Sequence, residues 1–70
     1  MTSEEIRQYL QEDAPLTIHL NGGREFRVAH TDYALISPSG VSLAFFSPND
    51  HIEHIRLSSI ESITLEKPAA

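Results

Sequence analysis

The sequence predicts a mainly β domain: one short N-terminal helix, then five or six short antiparallel strands closing into a small barrel. Three observations lead there. The apolar period changes from helical to alternating at Leu16. Turn signals recur at close spacing from Asn21 onward. The chain has 70 residues, and a meander that short must hide its open edges, which closure of the sheet does. Residues 1–70 are read as one domain, with the helix over 2–13, the barrel over 16–66 and a tail over 67–70.

The helix opens at Thr2-Ser3-Glu4-Glu5. Thr2 as N-cap with Glu5 three residues on fits a capping box, and the two acids suit the positive end of the helix. Ile6 and Leu10 stand one turn apart with Tyr9 beside them. Pro15 disfavours helical backbone at Ala14 and closes the segment. A helix this short is not stable alone and must dock, for which Ile6 and Leu10 plugging one barrel end is the simplest arrangement.

Leu16, Ile18 and Leu20 alternate with Thr17 and His19, the pattern of a half-buried strand. Asn21-Gly22-Gly23 then predicts a hairpin with a type I′ turn. The return strand carries Phe26 and Val28 inward, with Glu25 and Arg27 outward. His30-Thr31-Asp32 is a polar corner before a third strand over Tyr33 to Ser37. Ser37-Pro38-Ser39-Gly40 has proline and glycine where a type I turn wants them. Val41, Leu43 and Phe45 are expected inside a fourth strand, with Ser42, Ala44 and Phe46 outside. Ser47-Pro48-Asn49-Asp50 predicts another turn, followed by a strand over Ile52 to Leu57. Ser58-Ser59-Ile60 interrupts briefly before Ile63 and Leu65 point inward, with Ser62, Thr64 and Glu66 facing water.

Composition excludes several classes. With no cysteine, disulfides, thiolate zinc sites and cysteine nucleophiles are out of reach. Burial and chain entropy nearly cancel in so small a domain, which favours association with a second copy or a protein partner. No apolar run exceeds four residues, as at Leu43 to Phe46, so no membrane contact is expected. Acids follow Met1 where a secretory signal would be basic, and the expected location is cytoplasmic. A formal charge of −5 repels phosphate backbones, so nucleic acid is not an expected partner.

The order of helix, Asn-Gly hairpin and bent meander ending in Ile52-Glu53-His54-Ile55-Arg56-Leu57-Ser58-Ser59-Ile60 is similar to the Sm-like fold, and its short corner resembles that of SH3-like barrels. In Sm-like proteins the last two strands pair with neighbouring subunits into rings. The RNA-holding members carry Lys-His near this strand, whereas here Glu53 precedes His54. Ile6-Arg7, Ile18-His19-Leu20, Gly23-Arg24, Val28, His30, Tyr33 and Ser37-Pro38-Ser39-Gly40 resemble, more closely, a family of short uncharacterised bacterial proteins. That resemblance implies a small barrel and no particular activity.

Chemistry-bearing clusters are few. Asp50, His51, Glu53 and His54 have ligand chemistry, but His51 and His54 fall on opposite faces of a strand. Solvated strand residues beside a turn are the expected reading, so neither a metal nor a cofactor is expected. His19 and His30 sit among strand residues, where a half-buried histidine bonded to a carbonyl or carboxylate is ordinary. Ser37, Ser39, Ser47, Ser58 and Ser59 fall in turns, where serine is common without catalysis. Asn21-Gly22-Gly23-Arg24 lacks the rest of a phosphate loop. Arg24, Arg27 and Arg56 could form a basic face, with Tyr33 or Phe46 stacking a base, but the surrounding acids favour paired surface charges.

Phe46 is the informative residue, pointing out of a strand otherwise turned to water. Either the helix covers it or a partner does. The sequence thus predicts a non-enzymatic interaction or self-assembling module, with strand addition at an open edge and Phe46, His54 and Arg56 at the contact. The alternatives are an Sm-like RNA-binding ring and a small metal- or ligand-binding protein using residues 51–54.

Overall fold

The computed structural model describes residues 1–47 and 49–66. The tail expected over 67–70 and Pro48 of the predicted fourth turn lie outside the described residues. The elements run α1 (Ser3–Leu10), β1 (Leu16–Leu20), β2 (Glu25–Val28), β3 (Ala34–Ile36), β4 (Ser42–Phe46), β5 (Ile52–Arg56) and β6 (Ile60–Leu65). Short 3-10 turns over Thr31–Tyr33 and Leu57–Ser59 form the corners before β3 and β6.

The capping box forms as predicted. Glu5 N–H donates to Thr2 Oγ1 at 3.2 Å, and Thr2 N–H donates to Glu5 Oε1 at 3.0 Å. This contact with Thr2 holds the Glu5 carboxyl below its ordinary pKa. The helix ends at Leu10, not at residue 13. Asp13 takes a left-handed backbone with φ 54°, so the chain has turned towards β1 before Pro15 can act as the stop.

All strands are antiparallel and fall into two three-stranded sheets, β2-β1-β6 and β3-β4-β5. The ladders of the described residues do not run from one sheet into the other, so they do not show the closed barrel expected from the sequence. The sheets face each other across one core. Leu16, Ile18, Leu20, Val28 and Ile60 of the first sheet meet Leu43 and Phe45 of the second, with Leu57 at a corner and Ile6 from α1. The Phe26 and Phe45 rings bridge the layers edge to face, with centroids 5.4 Å apart.

Three local predictions need correction. Asn21-Gly22 is not the central pair of a type I′ turn, because Asn21 lacks the positive φ that such a turn needs, whereas Gly22 and Gly23 have φ of 94° and 92°. Leu20 N–H donates to Arg24 O at 2.8 Å across a three-residue loop. Asn21 is held elsewhere: its N–H donates to Ser59 O at 2.9 Å and its side-chain amide to Ser58 O at 3.4 Å. Val41, expected inside, is 55% exposed because the strand begins only at Ser42. Tyr33 belongs to the 3-10 corner and Leu57 to the next one, which shortens the third and fifth strands.

Gly40 closes the β3–β4 turn, its N–H donating to Ser37 O at 2.9 Å. It has φ 74°, and a Cβ there would stand 3.2 Å from Ser3 Oγ. Positive φ and the close approach of α1 both call for glycine.

Candidate interaction surface

The outward faces of the two sheets differ in kind. On β2-β1-β6 the face is polar and its side chains bond one another across strands. His19 Nδ1 lies 3.0 Å from Glu25 Oε2 and its Nε2 lies 2.8 Å from Thr64 Oγ1, so one half-buried ring links three strands. Arg27 grips Glu66 with two bonds of 3.0 Å, Nε to Oε1 and Nη2 to Oε2. The pairing lowers the Glu66 pKa and raises that of Arg27. Arg24 lies 5.0 Å from the Phe26 ring centroid, in cation–π contact.

The outward face of β3-β4-β5 carries an apolar stripe instead. Register places Leu35 opposite Ala44, Ala44 opposite His54, and Phe46 opposite Ile52. Leu35 is 75% exposed, Ile52 64%, Phe46 51% and Tyr33 49%. These are four of the five large apolar side chains exposed among the described residues. Isolated exposed apolar residues are ordinary, whereas a contiguous set makes this face a candidate contact surface.

Phe46 is therefore not core beneath the helix. α1 packs near β3 and sends Ile6 into the core, leaving the Phe46 ring free. His54 and Arg56 lie on this same face, two residues apart along β5. His54 Nε2 is 3.0 Å from Ser42 Oγ. Phe46 also lines an open groove with Asp32, Tyr33, Ser47 and Asp50. Beyond β5 lies a sheet edge left unpaired among the described residues.

Other candidate residues are not brought together. Among the described residues no three His, Asp or Glu side chains gather as metal ligands. The three arginines do not share a face: Arg24 and Arg27 belong to the β2 side and Arg56 to β5. His30 is exposed and meets the Tyr33 ring edge to face at 5.1 Å. The sequence reading missed Leu35, Tyr33 and Ile52 as members of the stripe. Tyr33-Ala34-Leu35-Ile36 is apolar at every position, so alternation alone does not separate its faces.

No described helix is long and apolar enough to cross a membrane. No protein-family model, curated protein or solved structure matches this chain.

Proposed function

We propose that this chain is a non-enzymatic interaction module that associates with a second copy, or with a protein partner, by strand addition at the open edge of β5. Phe46, His54 and Arg56 line the contact. The observation that carries this reading is the contrast between the two sheet faces. One face pairs His19 with Glu25 and Thr64, and Arg27 with Glu66, across its strands, and the other presents Leu35, Phe46 and Ile52 beside an edge left unpaired among the described residues. A strand adding there would supply backbone bonds to the edge and cover part of the stripe.

The same reading makes the fold a small barrel of the SH3-like or Sm-like kind, akin to the short bacterial family it resembles, and working in the cytoplasm. The element order and the 3-10 corner at Leu57–Ser59 support that kinship. An RNA-binding ring is less well supported, because Arg27 is already engaged by Glu66 and the chain is acidic.

Light scattering at two concentrations about tenfold apart tests the reading, since weak association follows mass action. The parent chain should exceed its 7.8 kDa monomer mass, and Phe46→Asp should return it towards the monomer. A Phe46→Asp chain with the parent's mass at both concentrations would remove Phe46 from the contact. A parent that stays monomeric throughout would remove edge pairing with itself.

A further inference from the structure

The open edge of β5 has a fixed hydrogen-bonding phase. Towards β4 the ladder is bracketed by Ser47 N–H donating to His51 O at 2.8 Å and by Leu57 N–H donating to Val41 O at 2.9 Å. Antiparallel ladders bond alternate residues. His51, Glu53, Ile55 and Leu57 therefore face β4, and Ile52, His54 and Arg56 turn their backbone amides to the open edge. Those three residues also carry their side chains on the outward face with Phe46.

A second copy laid antiparallel along this edge presents the same three residues. Only one two-fold register engages all of them: His54 opposite His54 of the second copy, and Ile52 opposite its Arg56. A slip of two residues leaves an outward-turned amide unused in each copy. A slip of one sets these amides against groups already bonded to β4.

This register also supplies the groove beside Phe46. Arg56 of the second copy faces Ile52 directly and Asp50 diagonally, a separation long side chains span. The groove is lined by Asp32 and Asp50, by the half-exposed Tyr33 and Phe46, and by Ser47. The Ser47 hydroxyl is buried without a hydrogen-bond partner among the described residues. Two carboxylates beside aromatic faces suit a guanidinium, which stacks on a ring while donating to oxygen. No ion pair among the described residues occupies Asp32, Asp50 or Arg56. Arg56 cannot fill its own copy's groove, because it stands four residues from Ile52, about 13 Å along the strand.

We infer that β5 pairs with β5 of a second copy about a two-fold axis through His54, and that Arg56 of each copy occupies the Tyr33–Phe46 groove of the other. The inference rests on the self-association proposed above and adds its symmetry, its register and the occupant of the groove. Such a contact uses the same patch on both copies and closes on itself, so assembly stops at a dimer.

The chain has no cysteine, so a single introduced thiol reports the register. His54→Cys should be joined into a dimer by a short bismaleimide, and Ile52→Cys much more slowly, because its two thiols lie about four residues apart across the pair. Arg56→Glu should weaken dimerisation on the order of a hundredfold, since it removes the pair and sets like charges together. Equal cross-linking of the two cysteine variants, an Arg56→Glu chain that dimerises like the parent, or a ring of more than two copies would overturn this register while leaving self-association intact. A parent monomeric at every concentration would overturn both.

Discussion

Truncating Ile6 to alanine tests whether α1 is part of the core or an appendage to it. Ile6 is fully buried in the core cluster to which both sheets contribute. The substitution removes three carbons, for a transfer loss of about 2.4 kcal/mol at roughly 0.8 kcal/mol each. If the site cannot collapse, a void of about 75 Å³ adds roughly 1.8 kcal/mol at about 24 cal/mol/Å³. Alanine's better helix propensity returns a few tenths of a kcal/mol at an eight-residue helix. The expected loss is therefore about 2 to 4 kcal/mol, against a total of roughly 4 to 10 kcal/mol for a 70-residue domain. Equilibrium urea unfolding followed by circular dichroism reads it as a fall in midpoint at unchanged slope, with Ile6→Val losing only about 0.5 to 1.5 kcal/mol. A loss below about 1 kcal/mol for Ile6→Ala would refute the reasoning, because the sheets would then close their core without the helix.

The other predictions concern the turn, the cap, the acid limb and the stripe. Gly40→Ala should destabilise by about 1 to 2 kcal/mol through positive φ alone, with the Ser3 contact adding to it; a neutral effect in thermal melts would contradict that turn geometry. Thr2→Ala should cost about 1 kcal/mol by removing the cap, read by the same urea titration. Glu66 has a lowered pKa in the fold, caused by Arg27, so its contribution is complete above the unfolded pKa and is lost as pH falls through the folded one. Glu66→Gln should therefore be less stable than the parent at neutral pH and equal to it in strong acid, and parallel stability–pH curves would count against the ion pair. Leu35→Lys should leave stability within about 0.5 kcal/mol, as exposed substitutions do, while reducing binding of a hydrophobic dye; a large destabilisation would mean Leu35 is packed.

Much of the fold was legible because strand and helix periods are local properties. The alternation of Leu16, Ile18 and Leu20 and the capping box at Thr2 name their own structures. Some of what failed was local, such as the left-handed backbone at Asp13 that ends the helix early, and the rest depended on partners far away in sequence. The conformation at Asn21 is set with Ser58 and Ser59, whose carbonyls receive its amides. Whether the two sheets join is decided by the corners at Thr31–Tyr33 and Leu57–Ser59, which carry no periodic signal. Phe46 stood out because its strand alternates, and Leu35 did not because its neighbours are all apolar. His54 and Arg56 could be placed on one face by parity, but their shared edge needed the strand order.

The position of β1 has a consequence for how the chain reaches this structure. β1 is the middle strand of its sheet, bonded on one side to β2 and on the other to β6, with Leu16 opposite Leu65. The first hairpin can form early during synthesis, but its inner flank stays unclosed until β6 has been made. Pairing across that sequence separation carries a loop-closure cost before any contact rewards it. Refolding should accordingly be slow for so small a chain. A nascent chain stalled before Ile60 would display the β1 flank as a template for misassociation, an interval in which a chaperone would matter most.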